Sequence, residues 1–347
     1  MYRGTDNRTF GKLPPVIRVT YEVEPLEAAE LLALVASVGH SNGPDFVRGR
    51  VLSADDGRAV LEFPERNWGA DVSLLVAALL AGEWADLAAI RRCRLISADW
   101  PRGLFRGPAF EAPDGVLVGA IVKPSLGLSP REVGAVAAAL GRGGADLVKD
   151  DELLGDPDWC PLEERVREVV ASTDVRYAAN VTGPVDGLRA RAELAVELGA
   201  GALMVDAFAQ GLDAVRLLRD AELGVPILAH RAGAAMWTRN QTHGVAPSVM
   251  AQLLRLLGAD YVLCGSFTGR VFDSEAEVRL QIKACREDVG VPRSVAVLGG
   301  GVGPANAAEQ IELAGERDGV MVLLGSEAYR HPGGVEAAVR ATVEAVR

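Results

Sequence analysis

The sequence predicts an α/β protein in which a C-terminal (β/α)8 TIM barrel follows a small N-terminal α+β domain. Two observations support this prediction. From Val116 onward, short apolar runs alternate with longer amphipathic segments, and eight such units fill the last two thirds of the 347 residues. The first 110 residues show a different, mixed pattern. Consecutive parallel strands need a right-handed helical crossover, and eight of them close into a barrel with a filled interior.

In the N-terminal part, residues 16–23 have the composition of a β-strand, and residues 26–38 follow with the spacing of an amphipathic helix. Residues 100–115 are rich in Gly and Pro and show little periodicity, which is typical of a connector. We therefore predict two domains, residues 1–110 and residues 111–347.

Each predicted barrel strand is an apolar run that ends in polar or glycine residues. The eight strand candidates are residues 116–123, 145–150, 176–181, 202–206, 226–230, 261–264, 295–299 and 320–325. The clearest helical patterns are residues 130–142, 247–258, 304–314 and 335–346.

An open doubly wound sheet is the alternative architecture. It would need a glycine-rich dinucleotide-binding turn after an early strand. The run Gly299-Gly300-Gly301 follows the seventh predicted strand instead. The barrel is therefore the favoured prediction.

Composition and charge limit the classes of partner. The net charge of −11 disfavours nucleic acid, because phosphate backbones are bound by clustered Lys and Arg. No apolar stretch approaches the roughly 18 residues of a membrane helix, so no membrane partner is expected. The first fifteen residues lack the apolar core of a secretory signal, which predicts a cytoplasmic location. A small-molecule substrate is the expected partner.

Polar residues gather at the predicted carboxyl ends of the barrel strands, where barrel enzymes carry their catalytic groups. Lys123 ends the first strand, Lys149 the second and His230 the fifth. A run of charged residues such as Lys149 to Glu152 can be a surface turn. Here, however, the run directly follows an apolar strand. We therefore predict a functional site at this end of the barrel.

The four residues of this run differ in their expected direction. Alternation turns Lys149 and Asp151 to one face and Asp150 to the other, and Glu152 can bend back from the loop. Two carboxylates at a strand end are hard oxygen ligands that suit Mg²⁺. Lys149 is the unexpected member, because an ammonium group repels a metal ion.

Three segments resemble the large-subunit motifs of ribulose-bisphosphate carboxylase (RuBisCO). They are VKPSLGL at residues 122–128, GGADLVKDDE at residues 143–152, and HRA at residues 230–232 with His243-Gly244. Their order and spacing match, so the resemblance covers nearly the whole chain. It implies an N-terminal ferredoxin-like domain and one Mg²⁺ per site. It also implies that Lys149 adds carbon dioxide and becomes an anionic carbamate ligand beside Asp151 and Glu152.

Departures from the family pattern predict that the chain is not a carboxylase. Ser125 stands where the motif has a second lysine, Arg270 where a mobile loop has a lysine, and Leu263 where a strand ends in histidine. Residues 39–44 lack the glutamate and threonine expected in carboxylases. The chain is therefore similar to the form IV RuBisCO-like proteins, which carry out enolisation, isomerisation or decarboxylation.

The resemblance also implies roles for single residues. The predicted catalytic residues are Lys123, Lys149 and His230, with Lys123 or the Lys149 carbamate as the base. The predicted substrate-binding residues are Arg231, His243, Arg270, Gly299, Gly300, Gly301, Gly325 and Ser326.

The reasons for these substrate contacts differ. Arginine binds phosphate or carboxylate bidentately, and glycines allow an anion to approach the backbone closely. Gly299 replaces the family's serine and Ser326 replaces a glycine, so a substrate with two phosphates is not expected. A structural salt bridge is the alternative for Arg231, and a bracing role in the fifth loop is the alternative for His243.

The predicted function is Mg²⁺-dependent enolisation, isomerisation or decarboxylation of a phosphorylated or acidic sugar derivative. One alternative is an aldolase or lyase that forms a Schiff base on Lys123 or Lys149. Another is a catalytically silent regulatory protein of the same fold. The resemblance further implies a homodimer in which the N-terminal domain of one subunit completes the site of the other.

Overall fold

The structure is a computed structural model that describes residues 15–35, 49–80 and 86–347. Within these residues the chain forms two sheets, an N-terminal sheet and a closed barrel. The departure from the family pattern at residues 39–44 lies outside the described residues, as do the last three residues of the predicted helix 26–38.

The N-terminal sheet has the ferredoxin-like arrangement. Its strands are β1 (Val16–Glu24), β2 (Arg50–Asp55), β3 (Arg58–Pro64) and β4 (Arg92–Asp99), in the antiparallel order β4-β1-β3-β2. Helix α1 (Ala28–Val35) connects β1 to β2, and α2 (Val72–Leu75), extended by a π-helical segment (Val76–Leu80), lies between β3 and β4. This order confirms the predicted domain type.

Alternation along β1 explains how this sheet packs. Ile17, Val19 and Tyr21 are buried, while the side chains between them are more exposed. Leu32 and Leu75 from the two helices belong to the same apolar core. One face of the sheet therefore packs against α1 and α2.

The C-terminal part closes into a barrel of eight parallel strands, as predicted. These strands are β5 (Val116–Ile121), β6 (Leu147–Lys149), β7 (Arg176–Asn180), β8 (Ala202–Asp206), β9 (Ile227–His230), β11 (Tyr261–Leu263), β12 (Val295–Val302) and β13 (Val320–Leu324). Strand β13 pairs with β5 and completes the ring.

Helices follow the barrel strands and cover the outside. They are α3 (Pro130–Arg142), α4 (Leu162–Ser172), α5 (Leu188–Glu197), α6 (Ala207–Gln210), α7 (Asp213–Asp220), α8 (Ala235–Thr238), α9 (Pro247–Leu256), α10 (Glu275–Arg286), α11 (Ala307–Ala314) and α12 (Gly334–Val346). Capping boxes set the starts of two of them, with Ser129 and Glu132 at α3 and Ser274 and Glu277 at α10.

The interior of the barrel is filled by side chains. A separate cluster of buried apolar residues from the strands includes Leu147, Met204, Tyr261, Val297 and Met321. Because this cluster fills the lumen, no substrate can enter it, and the functional site must lie at a mouth of the barrel.

All the predicted barrel strands except residues 202–206 have different bounds in the structure, and β6 and β12 differ most. Strand β6 is shorter than residues 145–150, because the Asp146 carboxylate accepts from the backbone N–H of Val118 (2.8 Å) before the strand begins. Strand β12 is longer than residues 295–299 and includes the glycine run. The pairing register shifts after Gly299, and Gly300 and Gly301 have φ of 102° and 93°, a bulge that requires glycine.

The sequence analysis did not predict a strand in the connection after β9. Strand β10 (His243–Val245), in the connection after β9, pairs in parallel with β4 and extends the N-terminal sheet. It joins the two parts of the molecule through main-chain hydrogen bonds, such as that from the N–H of Cys93 to the carbonyl of Thr242 (2.8 Å).

In the part of the chain that the structure describes, no helix is both long and apolar enough to cross a membrane.

Candidate active site

Polar and charged side chains from four strands meet at the carboxyl end of the barrel. They are Lys123 after β5, Lys149, Asp151 and Glu152 at the end of β6, Asp206 at the end of β8 and His230 at the end of β9. Lys123 contacts Asp151, and a second series of contacts runs from Lys149 through Glu152 and His230 to Asp206. The structure therefore brings the three predicted catalytic residues together with both predicted carboxylate ligands.

Lys149 lies at the base of this group and is completely buried. Its Nζ donates to the carbonyl of Asp150 (2.7 Å) and lies 3.5 Å from Oε2 of Glu152. Burial lowers the pKa of Lys149, against the opposing effect of Glu152 and Asp151. A lowered pKa favours the neutral amine, which is the form that can add carbon dioxide.

Lys123 lies closer to solvent than Lys149 and binds the carboxylate of Asp151. Its Nζ donates to Oδ2 of Asp151 and to Oγ of Ser125 (3.2 Å). Its backbone N–H donates to the hydroxyl of Tyr329 (2.8 Å), and that hydroxyl donates to the carbonyl of Ile121 (2.8 Å). Tyr329 thus fixes the chain at Lys123. It was missed in the sequence, because a tyrosine beyond the eighth strand carries no distinctive signal.

The protonation of Glu152 and His230 reflects their partners. Burial raises the pKa of Glu152, but the charges of Lys149, His230 and Lys123 outweigh burial and lower the pKa to about 2. Burial and the charge of Lys149 lower the pKa of His230, although Asp206 and Glu152 oppose this. At neutral pH the site therefore holds an ionised Glu152 and a neutral His230.

Asp206 is a site residue that the sequence predictions left without a role. Its Oδ1 lies 3.2 Å from Nδ1 of His230, but this oxygen is buried and accepts no hydrogen bond within the described part of the chain. The backbone N–H of Ala232 also donates to this Nδ1 (3.2 Å), so Asp206 and Ala232 approach the same ring nitrogen. The position of Asp206 at the end of a predicted strand is the signal that could have identified it.

The residues present fit Mg²⁺ under one condition. Among the described residues, no three His, Cys, Asp or Glu side chains form a metal-binding group. Asp151 and Glu152 instead contact Lys123 and Lys149. A carbamate on Lys149 would replace the cation beside Glu152 with an anionic oxygen ligand. The donor set therefore suits a hard cation only when Lys149 is modified.

Asp150 points away from this group, as alternation predicted. Its carboxylate accepts hydrogen bonds from Arg165 (3.2 Å), from the hydroxyl of Tyr177 (2.5 Å) and from the backbone N–H of Asn180 (2.9 Å). All of these groups are buried. Asp150 thus has a supporting position behind the site.

The predicted substrate-binding arginines are both paired with carboxylates. Arg231 donates through Nη1 and Nη2 to Asp273, at 2.5 and 3.2 Å. Arg270 pairs with Glu327, whose same oxygen accepts from Arg330 (2.8 Å). These contacts favour the structural alternative for Arg231.

His243 lies in β10, and its Nε2 is 3.3 Å from the carbonyl of Ile90. This position beside the N-terminal sheet favours the bracing role over direct contact with substrate.

The predicted glycine-rich segment lies against the connection after β11. The carbonyl of Gly300 accepts from the backbone N–H of Arg270 (2.7 Å) and from Oγ of Ser266 (3.0 Å). A Cβ on Gly303 would lie 2.6 Å from Cβ of Glu327, so the loop that follows β13 at Gly325 and Ser326 also packs here. The glycines therefore permit three loops to approach one another closely.

Comparison with known proteins gives concordant matches. The family model for the ribulose bisphosphate carboxylase large chain, catalytic domain, matches residues 104–347. Ribulose bisphosphate carboxylase-like protein 2 of Rhodopseudomonas palustris is 34% identical over 73% of this chain and 63% of that protein. A 2,3-diketo-5-methylthiopentyl-1-phosphate enolase of Geobacillus kaustophilus is 38% identical over 62% of this chain and 57% of that protein.

Among solved structures, the octameric ribulose-1,5-bisphosphate carboxylase/oxygenase of Pyrococcus horikoshii OT3 aligns with a TM-score of 0.89 and 26% identity. The alignment covers 97% of this chain and 88% of that chain. In the sequence comparisons, by contrast, the chain spans less than two thirds of the length of the curated relatives described above.

Proposed function

This chain belongs to the ribulose bisphosphate carboxylase large-chain family, and on that premise we propose that it is a Mg²⁺-dependent enzyme of the RuBisCO-like type. The proposed reaction is enolisation, isomerisation or decarboxylation of a phosphorylated or acidic sugar derivative. The observation that carries the proposal is the fully buried Lys149 beside Glu152, with Asp151 and Lys123 adjacent. One of its relatives is an enolase.

In this proposal Asp151, Glu152 and a carbamylated Lys149 hold the metal. Mg²⁺ bound there would polarise a substrate carbonyl and make the neighbouring C–H more acidic. Burial of Lys149 supports the modification, because a lowered pKa supplies the reactive neutral amine.

Lys123 is the proposed proton acceptor. Its side chain is 22% exposed, whereas Asp151 beside it is almost completely buried, so Lys123 is the one that can reach a substrate at the mouth. Tyr329 holds its backbone in place. As the neutral amine, Nζ would accept a proton removed from the carbon next to the carbonyl and become an ammonium group.

His230 is the proposed donor to a substrate oxygen. We assign the proton of the neutral ring to Nε2, because Nδ1 accepts the N–H of Ala232. That nitrogen lies 3.6 Å from Oε2 of Glu152, on the side of the proposed metal ligands. It can therefore stabilise negative charge that develops on the substrate.

Two features support a reaction other than carboxylation. Ser125 accepts from Lys123 at the position of the family's second lysine and cannot supply an ammonium group. Leu263 is buried in the barrel interior at the position of a family histidine. The compensated charges of Arg231 and Arg270 further support a substrate without two phosphates.

The test measures exchange of the α-proton for deuterium in a panel of sugar acids and ketose phosphates, after preincubation with Mg²⁺ and bicarbonate. We expect Lys149→Ala to lower the exchange rate by at least about 100-fold, because metal polarisation is worth several kcal/mol. Lys283→Ala, which removes an exposed lysine on α10, is the control and should exchange normally.

Other outcomes would support the alternatives. Full activity of Lys149→Ala in EDTA would contradict the metal-dependent mechanism. If borohydride also trapped substrate on the wild-type protein, a Schiff-base aldolase or lyase would replace it. Wild-type protein that neither binds metal nor exchanges any α-proton would support the silent regulatory protein.

A further inference from the structure

A second charged group lies directly behind the proposed metal site. It consists of Asp150, Arg165, Tyr177 and Asn180, and we refer to it as the Asp150 network. Asp150 and Arg165 are both completely buried, and Nε of Arg165 lies 3.2 Å from Oδ2 of Asp150. No step of the proposed reaction uses these side chains.

The hydrogen bonds of the Asp150 network are complete. The carboxylate of Asp150 accepts from Arg165, Tyr177 and the N–H of Asn180. Arg165, on α4, also donates to the carbonyls of Cys160 (2.8 Å) and Gly155 (2.7 Å) in the loop after β6. A buried charge with every partner in place has one favoured arrangement, because each lost hydrogen bond would leave a desolvated group unpaired. Arg165 thus holds both ends of the segment that carries the proposed ligands.

The Asp150 network connects directly to those ligands. Nζ of Lys149 donates to the carbonyl of Asp150 (2.7 Å), and Nδ2 of Asn180 lies 3.3 Å from the carbonyls of both Asp151 and Glu152. Since side chains alternate along an extended chain, anchoring Asp150 on the outer face turns Lys149 and Asp151 inward.

We propose that Arg165, acting through Asp150, is a positioning residue that sets the geometry of the metal site formed by Lys149, Asp151 and Glu152. This inference rests on the proposed function. Arg165 touches neither substrate nor metal; it holds the backbone from which the ligands project. The expected consequence of disturbing it is weaker metal binding, because groups that orient ligands typically contribute 10- to 100-fold to metal affinity.

A matched control separates positioning from general stability. Arg255 on α9 is also completely buried and donates to four backbone carbonyls. Two of these acceptors, Val291 and Pro292, precede β12 and therefore lie at the amino end of the barrel, opposite the site. Loss of contacts at Arg255 should lower stability without changing the site.

The experiment measures the affinity of the full-length protein for Mn²⁺ in bicarbonate buffer without substrate, by calorimetry or electron paramagnetic resonance. Thermal unfolding is recorded for each variant. We expect Arg165→Lys and Tyr177→Phe to weaken Mn²⁺ binding about tenfold. We expect Arg255→Lys to unfold at a lower temperature but to bind Mn²⁺ as the wild type does. Tyr177→Phe removes one hydroxyl and decides the question if Arg165→Lys does not fold.

The outcomes distinguish this inference from the proposed function. If the wild type binds Mn²⁺ and the Asp150-network variants bind it equally well, the positioning role is overturned while the metal site stands. Equal weakening in Arg255→Lys would also overturn it, because the effect would then follow stability alone. A wild-type protein that binds no Mn²⁺ in bicarbonate would overturn both.

Discussion

At the scale of single residues, the environment of Lys149 determines which chemistry is open to it. An exposed lysine stays protonated at neutral pH and would repel a divalent cation. Lys149 is completely buried, its pKa is lowered by that burial, and two carboxylates lie beside it in the chain. A buried ammonium needs anionic partners, whereas a carbamate needs a cation. Under the proposed function, the same cluster would therefore have two charge states, with and without metal.

Glu152 provides a test of the metal-free state. Its pKa in the folded protein is about 2, below the ordinary value of 4.5, so its contribution to stability is present above pH 4.5 and is lost as the pH falls toward 2. We expect Glu152→Gln to reduce the fall in unfolding free energy across this window by about 2 kcal/mol. Chemical denaturation of metal-free protein at several pH values measures this difference.

The control for this prediction is Glu163→Gln, which removes an exposed carboxylate from a helical ion pair with Arg167. It should leave the pH dependence nearly unchanged. A Glu152→Gln variant with the same acid sensitivity as wild type would show that Glu152 is not held ionised by Lys149, His230 and Lys123.

At the scale of elements, the connection after β11 is bound to its neighbours at several points. Thr268 accepts from Gln310 (2.6 Å) on α11, and the N–H of Phe267 donates to the same glutamine (2.8 Å). Arg270 donates its N–H to Gly300 and its guanidinium to Glu327. These contacts hold the loop against the glycine-rich segment.

Glu327 compensates positive charge beside the glycine-rich segment. Its carboxylate pairs with both Arg270 and Arg330, which are largely exposed. We expect Glu327→Gln to bind inorganic phosphate up to about fivefold more tightly. An exposed ion pair is worth up to about 1 kcal/mol, and in this variant the Glu327 carboxylate no longer competes with the anion for the arginines. Calorimetric titration with phosphate measures the change.

Glu336→Gln is the matched control, since Glu336 likewise pairs with two arginines, Arg142 and Arg340, but does so on α12. It should not alter phosphate binding. If Glu327→Gln and wild type bind phosphate equally, these arginines do not form part of an anion site.

At the scale of the whole molecule, large apolar side chains surround the mouth of the barrel. They belong to the connections that follow β5, β6, β7, β9 and β11, and they are exposed in the single chain. The set comprises Leu126, Leu153, Trp159, Val185, Met236 and Phe272. An exposed apolar rim of this kind is typical of an interaction surface. It supports the proposal of a homodimer in which a second copy covers the site.

We therefore expect the protein to sediment as a dimer. The double variant Val185→Glu with Met236→Glu should shift it toward monomer and lower its activity, because two charges cannot be buried in an apolar contact without cost. Leu280→Glu, which changes an exposed leucine on α10, is the control. An active wild-type monomer in sedimentation velocity would refute the proposed assembly.

Much of the architecture was predictable because its signals are local. Apolar runs and amphipathic spacing predicted eight barrel strands, and alternation predicted that Asp150 faces away from Lys149. Strand bounds were less accurate at β6 and β12, where a side-chain hydrogen bond and a glycine bulge end or extend the pairing. The boundary near residue 110 stays a prediction.

The sequence by itself determined the fold class, the family and the strand ends at which Lys123, Lys149, Asp151, Glu152 and His230 lie. These follow from periodicity and motif order along the chain. Only the tertiary structure decided the partners of the charged groups: Asp273 for Arg231, Glu327 for Arg270, the N-terminal sheet for His243, and the buried Asp206 beside His230. The physical reason is that barrel closure brings together side chains far apart in sequence, and no local pattern records which charges then meet.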